Sequence, residues 1–441
     1  MGDMFDADVA VVGAGAAGLA AARLLAEASL GVLVLEARDR VGGRAWTSRI
    51  GGSAFAELGA EFVHGNAPET YALAREAGLE TLGDGEGESW AMGAGGELER
   101  EDDEFRPDAA LFERVRSLRS DETVDRFFRR FEDDPAMSER IAAARAFVEG
   151  FDAADPAIAS ARGIADEWGS GVDSTSSRLR EGYGPLMEYV RASILRAGAT
   201  IALGTVVRRI AWQRGSVTTE VLENGKSSTI RTRAAIVTLP AGVLRQAAAA
   251  GVAFEPDLPL AKREALARIE TGSVVKVALR FRTRFWERLH AGRYRDAAFL
   301  RPGRGPFRAY WTRFPVRDGV VSAWSGGPPA AALRELSTDD RIRLALDEFG
   351  RLFGERSRAR ADFVEGATHD WDRDPFSRGA YSFLAAGGET ARTGLALPVG
   401  DTLFFAGEAS SPDGQGGTVN GALATGERAA GEAIRAIRLR P

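Results

Sequence analysis

The first forty residues constrain this chain more than any other stretch. "DADVAVVGAGAAGLAAARLLAEASLGVLVLEARDR" reads strand, turn, helix, strand. Residues 9–12 are an apolar strand. Gly13, Gly15 and Gly18 then form G-x-G-x-x-G. Gly13 allows a tight turn, Gly15 lets a pyrophosphate approach the backbone, and Gly18 lets the helix lie close to the sheet. The alanine-rich helix from Ala16 aims its N-terminus at that pyrophosphate. The second strand, "GVLVLE", ends in Glu36. It lies about twenty residues on, where a carboxylate meets a ribose hydroxyl. An ordinary glycine turn leaves Glu36 unexplained, so the unit is expected to bind a dinucleotide.

This unit alone leaves NAD and FAD open. The next residues, "RDRVGGRAWT", place Gly42, Gly43 and Arg44 beside it. A glycine pair brings backbone close to a ligand, and a fixed guanidinium can meet phosphate. The far end, "DTLFFAGEASSPDGQGGTVNGALATGERAAGEAI", reads as a strand over 403–406, then Gly407 and Glu408, a glycine-rich loop and a helix. Glu408 is expected to meet a ribityl hydroxyl. Thr418 and Val419 open the helix, whose first amides are expected to face a flavin C2 carbonyl and stabilise negative charge on the reduced ring. A NAD domain usually completes its site within one stretch of chain. A site sewn from both ends points to FAD.

At 441 residues the chain is too long for one ordinary core, so two domains are expected. A net charge of −6 and a pI near 5.5 argue against a nucleic-acid partner. There is no cysteine, which removes disulfides, thiolate nucleophiles, cysteine metal sites and a cysteinyl-linked cofactor; no metal is expected. A cytoplasmic location is consistent with this. The acidic start leads straight into the glycine motif and reads as a strand, not a signal peptide. No run approaches a membrane span.

Only three of the 57 basic side chains are lysine, a bias that suggests a GC-rich bacterial gene. Lys226 sits in a turn, "ENGKSS", and Lys262, in "PLAKREA", is expected at an exposed helix start. Lys276, in "TGSVVKVALRF", lies among Val274, Val275, Val277 and Ala278. A lysine there sits either on the exposed face of an edge strand or in a functional site.

Together "VVGAGAAGLAAARLL", "VLEARDRVGGRAWT", "ELGAEFVHG", Lys276 and "FFAGEASS…GGTVNGALATGERAA" resemble the flavin-containing amine oxidases, over almost the whole chain and in the same order. The "GAEFVHG" run looks most like that of the polyamine and spermine oxidases. The resemblance implies an α/β fold, a Rossmann-type FAD-binding domain interleaved with an α+β substrate-binding domain. The FAD domain would take 1–82, 176–253 and 365–441, and the substrate domain 83–175 and 254–364. The residues agree: 200–240 alternates as hairpin strands around "ENGK", 83–104 reads as a loop or short hairpin, and 100–150 and 332–353 read as amphipathic helices.

The resemblance also implies roles. Ala37, Arg38, Gly59, Ala60 and Glu61 would join the glycines, Glu36, Arg44, Gly407, Glu408, Thr418 and Val419 around FAD, with Val207 near adenine. Lys276 would hold a water near flavin N5, which suits a compact ammonium better than a guanidinium. Methionine at 276 would match the stem, so such a variant is expected to fold and keep FAD. Tyr381 would form one wall of an aromatic cage. Thr418 falls where the second aromatic stands in monoamine oxidases, leaving Trp324 or Trp371 to replace it. Ala380 falls where those enzymes carry the flavin-linking cysteine, so FAD is expected to be non-covalent. His64 is a candidate substrate contact; His290 and His369 read as structural.

The implied reaction is hydride transfer from the α-carbon of a neutral amine to flavin N5, hydrolysis of the imine to an aldehyde, and reoxidation by O2 to H2O2. The expected substrate is a polyamine; the carboxylates of "ELEREDDEFRPD" either line the entrance and steer it or form a solvated loop. The alternatives are a monoamine or L-amino-acid oxidase, and an FAD-dependent desaturase or dehydrogenase that does not use O2.

Overall fold

The computed structural model describes residues 5–83, 87–101, 109–172, 175–246 and 251–439. The side chains of residues 109, 110 and 112 are not described. The N-terminal unit forms as its spacing dictates. Strands Ala7–Val12 and Val32–Leu35 pair in parallel, joined by helix Ala16–Glu27. Gly13 adopts φ +104° at the turn, which only glycine takes without strain. A Cβ on Gly18 would lie 1.9 Å from the Gly13 carbonyl oxygen, so this glycine closes the helix onto the turn itself.

The sheet grows from distant parts of the chain. Its parallel part runs Thr200–Ala202, Val32–Leu35, Ala7–Val12, Lys226–Val237, with Leu403–Phe405 pairing in parallel with the last. An antiparallel meander, Thr205–Gln213 and Ser216–Glu223, continues from Lys226–Val237. Asn224 and Gly225, both at positive φ, form the two-residue turn that "ENGK" predicts. Helix Val419–Arg438 packs along helix Ala16–Glu27. Small residues permit this: a Cβ on Gly426 would lie 2.2 Å from the Ala17 carbonyl oxygen. The two chain ends thus share one core.

A second sheet of seven strands runs Phe363–Thr368, Val274–Phe281, Val320–Gly326, Ala309–Thr312, Ala297–Arg301, Glu88–Met92, Leu98–Glu101. Strand Phe363–Thr368 runs across the expected boundary at 365. Lys276 is on an interior strand, paired on both sides, so the edge-strand reading does not hold. Helices Ala109–Arg116, Val124–Phe128, Ser138–Gly150 and Thr338–Leu352 occupy the stretches read as helical. The acidic stretch lies partly outside the described residues, at 102–108. Among its described residues, Leu98–Glu101 is a strand and Glu101 pairs with Arg301.

Lys262 corrects one expectation. It is 4% exposed, not a surface residue. Its ammonium donates to the carbonyls of Gly394, Leu395 and Leu397, closing the C-terminus of helix Ala391–Ala396, and lies 3.9 Å from the centre of the Phe405 ring. Burial pushes its pKa down to about 7, and the nearby Arg428 charge adds to that. The unfolded chain therefore holds a proton that the folded chain loses between about pH 7 and the ordinary lysine value of 10.5. The burial penalty is fully present below pH 7 and is relieved as pH rises. Wild type is expected to gain stability relative to Lys262→Met between pH 7 and 9 in urea titrations. A pH-independent gap between the two would contradict this.

Candidate active site

The two sheets enclose a cavity of about 1190 Å³. That exceeds the roughly 300–1,000 Å³ typical of a site for one small ligand. One end is built on the N-terminal unit, with Gly13, Gly15, Glu36, Ala37, Arg38, Gly43 and Arg44 in its wall, and Val207 alongside. Gly59, Ala60, Glu61, Gly407, Glu408, Thr418 and Val419 also line it, as do His64, Lys276 and Tyr381. Of the residues expected from sequence to hold the cofactor or substrate, Gly18 lies outside the lining.

These residues fit a flavin dinucleotide. A Cβ on Gly15 would have one neighbour, the Gly43 Cα at 4.0 Å, so the glycine pair leaves a cradle that side chains would fill. Ala16 and Ala17, the first residues of the helix, open onto the cavity and present its N-terminus to an anion. Buried Glu36 accepts from the Ala14 amide at 2.7 Å and the Arg38 amide at 2.8 Å, which fixes its carboxylate at the strand end. Arg38 is held by Asp374 and Ser377.

Arg44 and Glu408 sit where expected but bond each other. The guanidinium donates to Glu408 Oε1 at 2.9 Å and to the Ala380 carbonyl. Glu408 Oε2 accepts from the Ser382 hydroxyl at 2.6 Å and the Gly417 amide at 2.9 Å. Burial raises the Glu408 carboxyl, but Arg44 and Arg392 outweigh it and hold it below its ordinary value. Arg44, read as a phosphate contact, is in this structure the partner that keeps Glu408 ionised.

Lys276 is 3% exposed and its ammonium points into a polar corner of the wall. It donates to Glu61 Oε2 at 2.6 Å and to the Gly59 carbonyl at 3.2 Å. Its nitrogen lies 5.4 Å from the centre of the Trp311 ring. Glu61, read as a cofactor contact, is thus first of all the counter-ion of Lys276.

The chamber in front of Lys276 is aromatic. Tyr381 packs on Gly417, and its hydroxyl donates to the Phe151 carbonyl. Trp324 shares an apolar cluster with Tyr381, Val274 and Ala380, and its indole donates to the Gly150 carbonyl at 2.8 Å. Trp371 is tied instead to the Leu58 carbonyl and packs on His369. Trp324 is therefore the tryptophan that shares an apolar cluster with Tyr381. Thr418 caps helix Val419–Arg438, accepting from the Gly421 amide at 2.9 Å. His64 lies against Phe62 and Phe151, and burial pushes its pKa down to about 4, so it is neutral at ordinary pH. Phe62, Phe299 and Trp311 complete the wall, with Asp152 and Glu167 as further lining carboxylates. None of these five was legible in the sequence, because no local pattern separates a chamber residue from one elsewhere in the fold.

The family model described as flavin containing amine oxidoreductase matches residues 16–434. Polyamine oxidase 4 of Oryza sativa subsp. japonica is 30% identical, over 97% of this chain and 89% of its own. Putrescine oxidase of Kocuria rosea is 27% identical, over 97% and 95%. The chain also matches a lysine-specific histone demethylase 1 homolog 2 of Oryza sativa subsp. japonica at 28% identity, over 98% of this chain but only 58% of that relative's length. Among solved structures, wild-type putrescine oxidase bound to putrescine superposes with a TM-score of 0.78 at 25% identity, covering 97% of this chain and 99% of the other. Among the described residues no helix is long and apolar enough to cross a membrane. With the cavity, its glycine cradle and a family model matched across nearly the whole sequence, the chain belongs to the flavin-containing amine oxidoreductases and is an FAD-dependent enzyme.

Proposed function

We propose that this enzyme is an amine oxidase acting on an amine that carries a second positive or polar group, with a polyamine or diamine as the substrate class. The net reaction is R–CH2–NH–R′ + O2 + H2O → R–CHO + R′–NH2 + H2O2. The FAD-binding segments would be those of the first sheet and the last helix. The carrying observation is the chamber itself, in which aromatic walls at Trp324, Tyr381, Trp311 and Phe299 are combined with the buried carboxylate of Asp152; Glu61 and Glu167 also line it but are matched by Lys276 and Arg392. Aromatic faces and carboxylates both attract an amine cation. The similarity to polyamine oxidase 4 and putrescine oxidase supports the same reading.

When bound, the flavin supplies the two-electron oxidant for the C–H bond next to nitrogen. The chain's part is to bind, orient and set polarity. The Gly150 and Phe151 carbonyls fix Trp324 and Tyr381, so both walls are held by one short segment at the end of helix Ser138–Gly150. Neutral His64 adds a hydrogen-bonding group without adding charge. The N-terminus of helix Val419–Arg438 faces the cavity and favours negative charge there.

Trp324, in the same apolar cluster as Tyr381, also supports a second reading, an arylalkyl monoamine as substrate. A panel of putrescine, spermidine, spermine, benzylamine and tyramine with peroxide detection separates the two. The expected result is higher kcat/KM for the polyamines, falling steeply with added salt while kcat changes little. Much higher kcat/KM for benzylamine or tyramine would overturn the substrate class and leave the fold and family untouched.

A further inference from the structure

Lys276 and Glu61 belong to a buried cluster of four ionisable side chains. Arg178 lies 3.8 Å from Glu61 Oε1, and Glu57 stands four residues before Glu61. The relative exposures are 3% for Lys276, 9% for Glu61, 7% for Arg178 and 5% for Glu57. Three strands assemble it. Val274–Phe281 brings Lys276, Ser176–Leu179 brings Arg178, and Ala54–Glu57 ends in Glu57. Glu61 immediately precedes strand Phe62–His64, whose Phe62 pairs with Arg178, so the register delivers its carboxylate between the two cations.

An ammonium or a carboxylate buried alone gives up its charge; a pair at hydrogen-bond distance keeps both. Burial pulls the Glu61 carboxyl upward, yet Lys276 and then Arg178 hold it below its ordinary value. Glu57 is the opposite case. Its Oε1 accepts from Thr47 and the Tyr183 amide, its Oε2 is buried with no hydrogen-bond partner, and burial pushes it up to about 7. The remaining neighbours of Lys276 are neutral: the Trp311 ring, and Thr368, whose hydroxyl goes to the backbone carbonyl of Lys276. Glu61 is therefore the group that matches the Lys276 charge.

We propose that Glu61 is a positioning residue for Lys276: it holds the ammonium charged at the cavity wall and cancels that charge toward an amine in the chamber. This rests on the amine-oxidase reading. Without Glu61, a cationic amine entering the chamber meets Lys276 and Arg178 uncompensated; with it, a carboxylate at hydrogen-bond distance offsets the Lys276 charge.

The chain's three lysines make this measurable. In flavin-loaded protein carrying [13Cε]lysine, NMR shows at most three lysine environments, and Lys276→Met assigns one. Glu61→Gln is expected to move the Lys276 resonance. Glu61→Asp, which keeps the charge, moves it less, and Lys226 does not move. In turnover, Glu61→Gln raises KM for a diamine at least about tenfold with a smaller change in kcat, and Glu61→Asp restores much of it. An unmoved Lys276 resonance overturns the proposal, and so does an unchanged KM. If Glu61→Gln does not fold, Lys276→Met/Glu61→Gln decides: recovery of the fold supports the charge coupling, and failure to recover overturns it. The absence of turnover of any amine by wild type would instead indict the proposed function, because the lysine spectrum needs no turnover.

Discussion

Lys276→Met is expected to lose about 3–5 kcal/mol of unfolding free energy, the usual consequence of removing one partner from a buried ion pair. Methionine fits the stem, and from sequence that was reason enough to expect intact folding. The structure changes the expectation, because Glu61 is left behind. Its closest cation is gone, and Arg178 remains only at 3.8 Å. The pH dependence carries the sign. In wild type the Glu61 carboxyl is held below its ordinary value. It therefore contributes stability above that value, and the contribution is lost as pH falls through the folded one. In the variant burial prevails and raises the carboxyl, so a penalty grows as pH rises. The gap between the two proteins is thus widest near pH 7 and narrows toward pH 4. Urea unfolding at both pH values checks this, with Lys276→Met/Glu61→Gln recovering much of the loss. Equal stability of wild type and Lys276→Met at pH 7 would show that the pair contributes nothing. Amine oxidation is expected to fall as well; if reduction by amine and reoxidation by air both match wild type, Lys276 is structural only.

Contiguous signals were legible in the sequence and paired ones were not. The glycines and Glu36 lie within one strand–helix–strand unit, so spacing alone places them. Lys276 was visible because an arginine-rich chain puts a lysine among valines. Its partner was not visible, since Glu61 lies 215 residues away and sits in a motif that reads as a cofactor contact. Lys262 failed for the same reason. "PLAKREA" shows nothing apolar on both sides, and the burial comes from helix Ala391–Ala396, 132 residues on. The turn at Asn224–Gly225 succeeded because its chemistry is entirely local. Trp324 and Trp371 could not be ranked from sequence because the choice depends on which carbonyl each indole reaches, Gly150 or Leu58.

Gly15→Val and Gly18→Ala are expected to fail in different ways, although both glycines belong to one motif. Gly15 has φ −72°, a conformation any residue can adopt, and the space beyond its Cα is open except for Gly43 at 4.0 Å. The apoprotein with valine there should melt close to wild-type apoprotein. Its branched side chain fills the cradle, so flavin content should fall at least about tenfold and added FAD should no longer raise Tm. Gly18 has no such space. A methyl there meets the Gly13 carbonyl oxygen at 1.9 Å and its carbon at 2.9 Å, both backbone atoms. Gly13 cannot easily withdraw, since its turn is tied to Thr238, whose hydroxyl donates to the Val12 and Gly13 carbonyls. Gly18→Ala should therefore destabilise the apoprotein itself by about 1–3 kcal/mol or more, with flavin lost as a consequence. Flavin-to-protein ratio and melting of the stripped apoprotein separate the two effects. Normal flavin content in Gly15→Val would mean that no pyrophosphate sits at this turn, and an undisturbed Gly18→Ala apoprotein would mean that the helix and turn have more freedom than their contact allows.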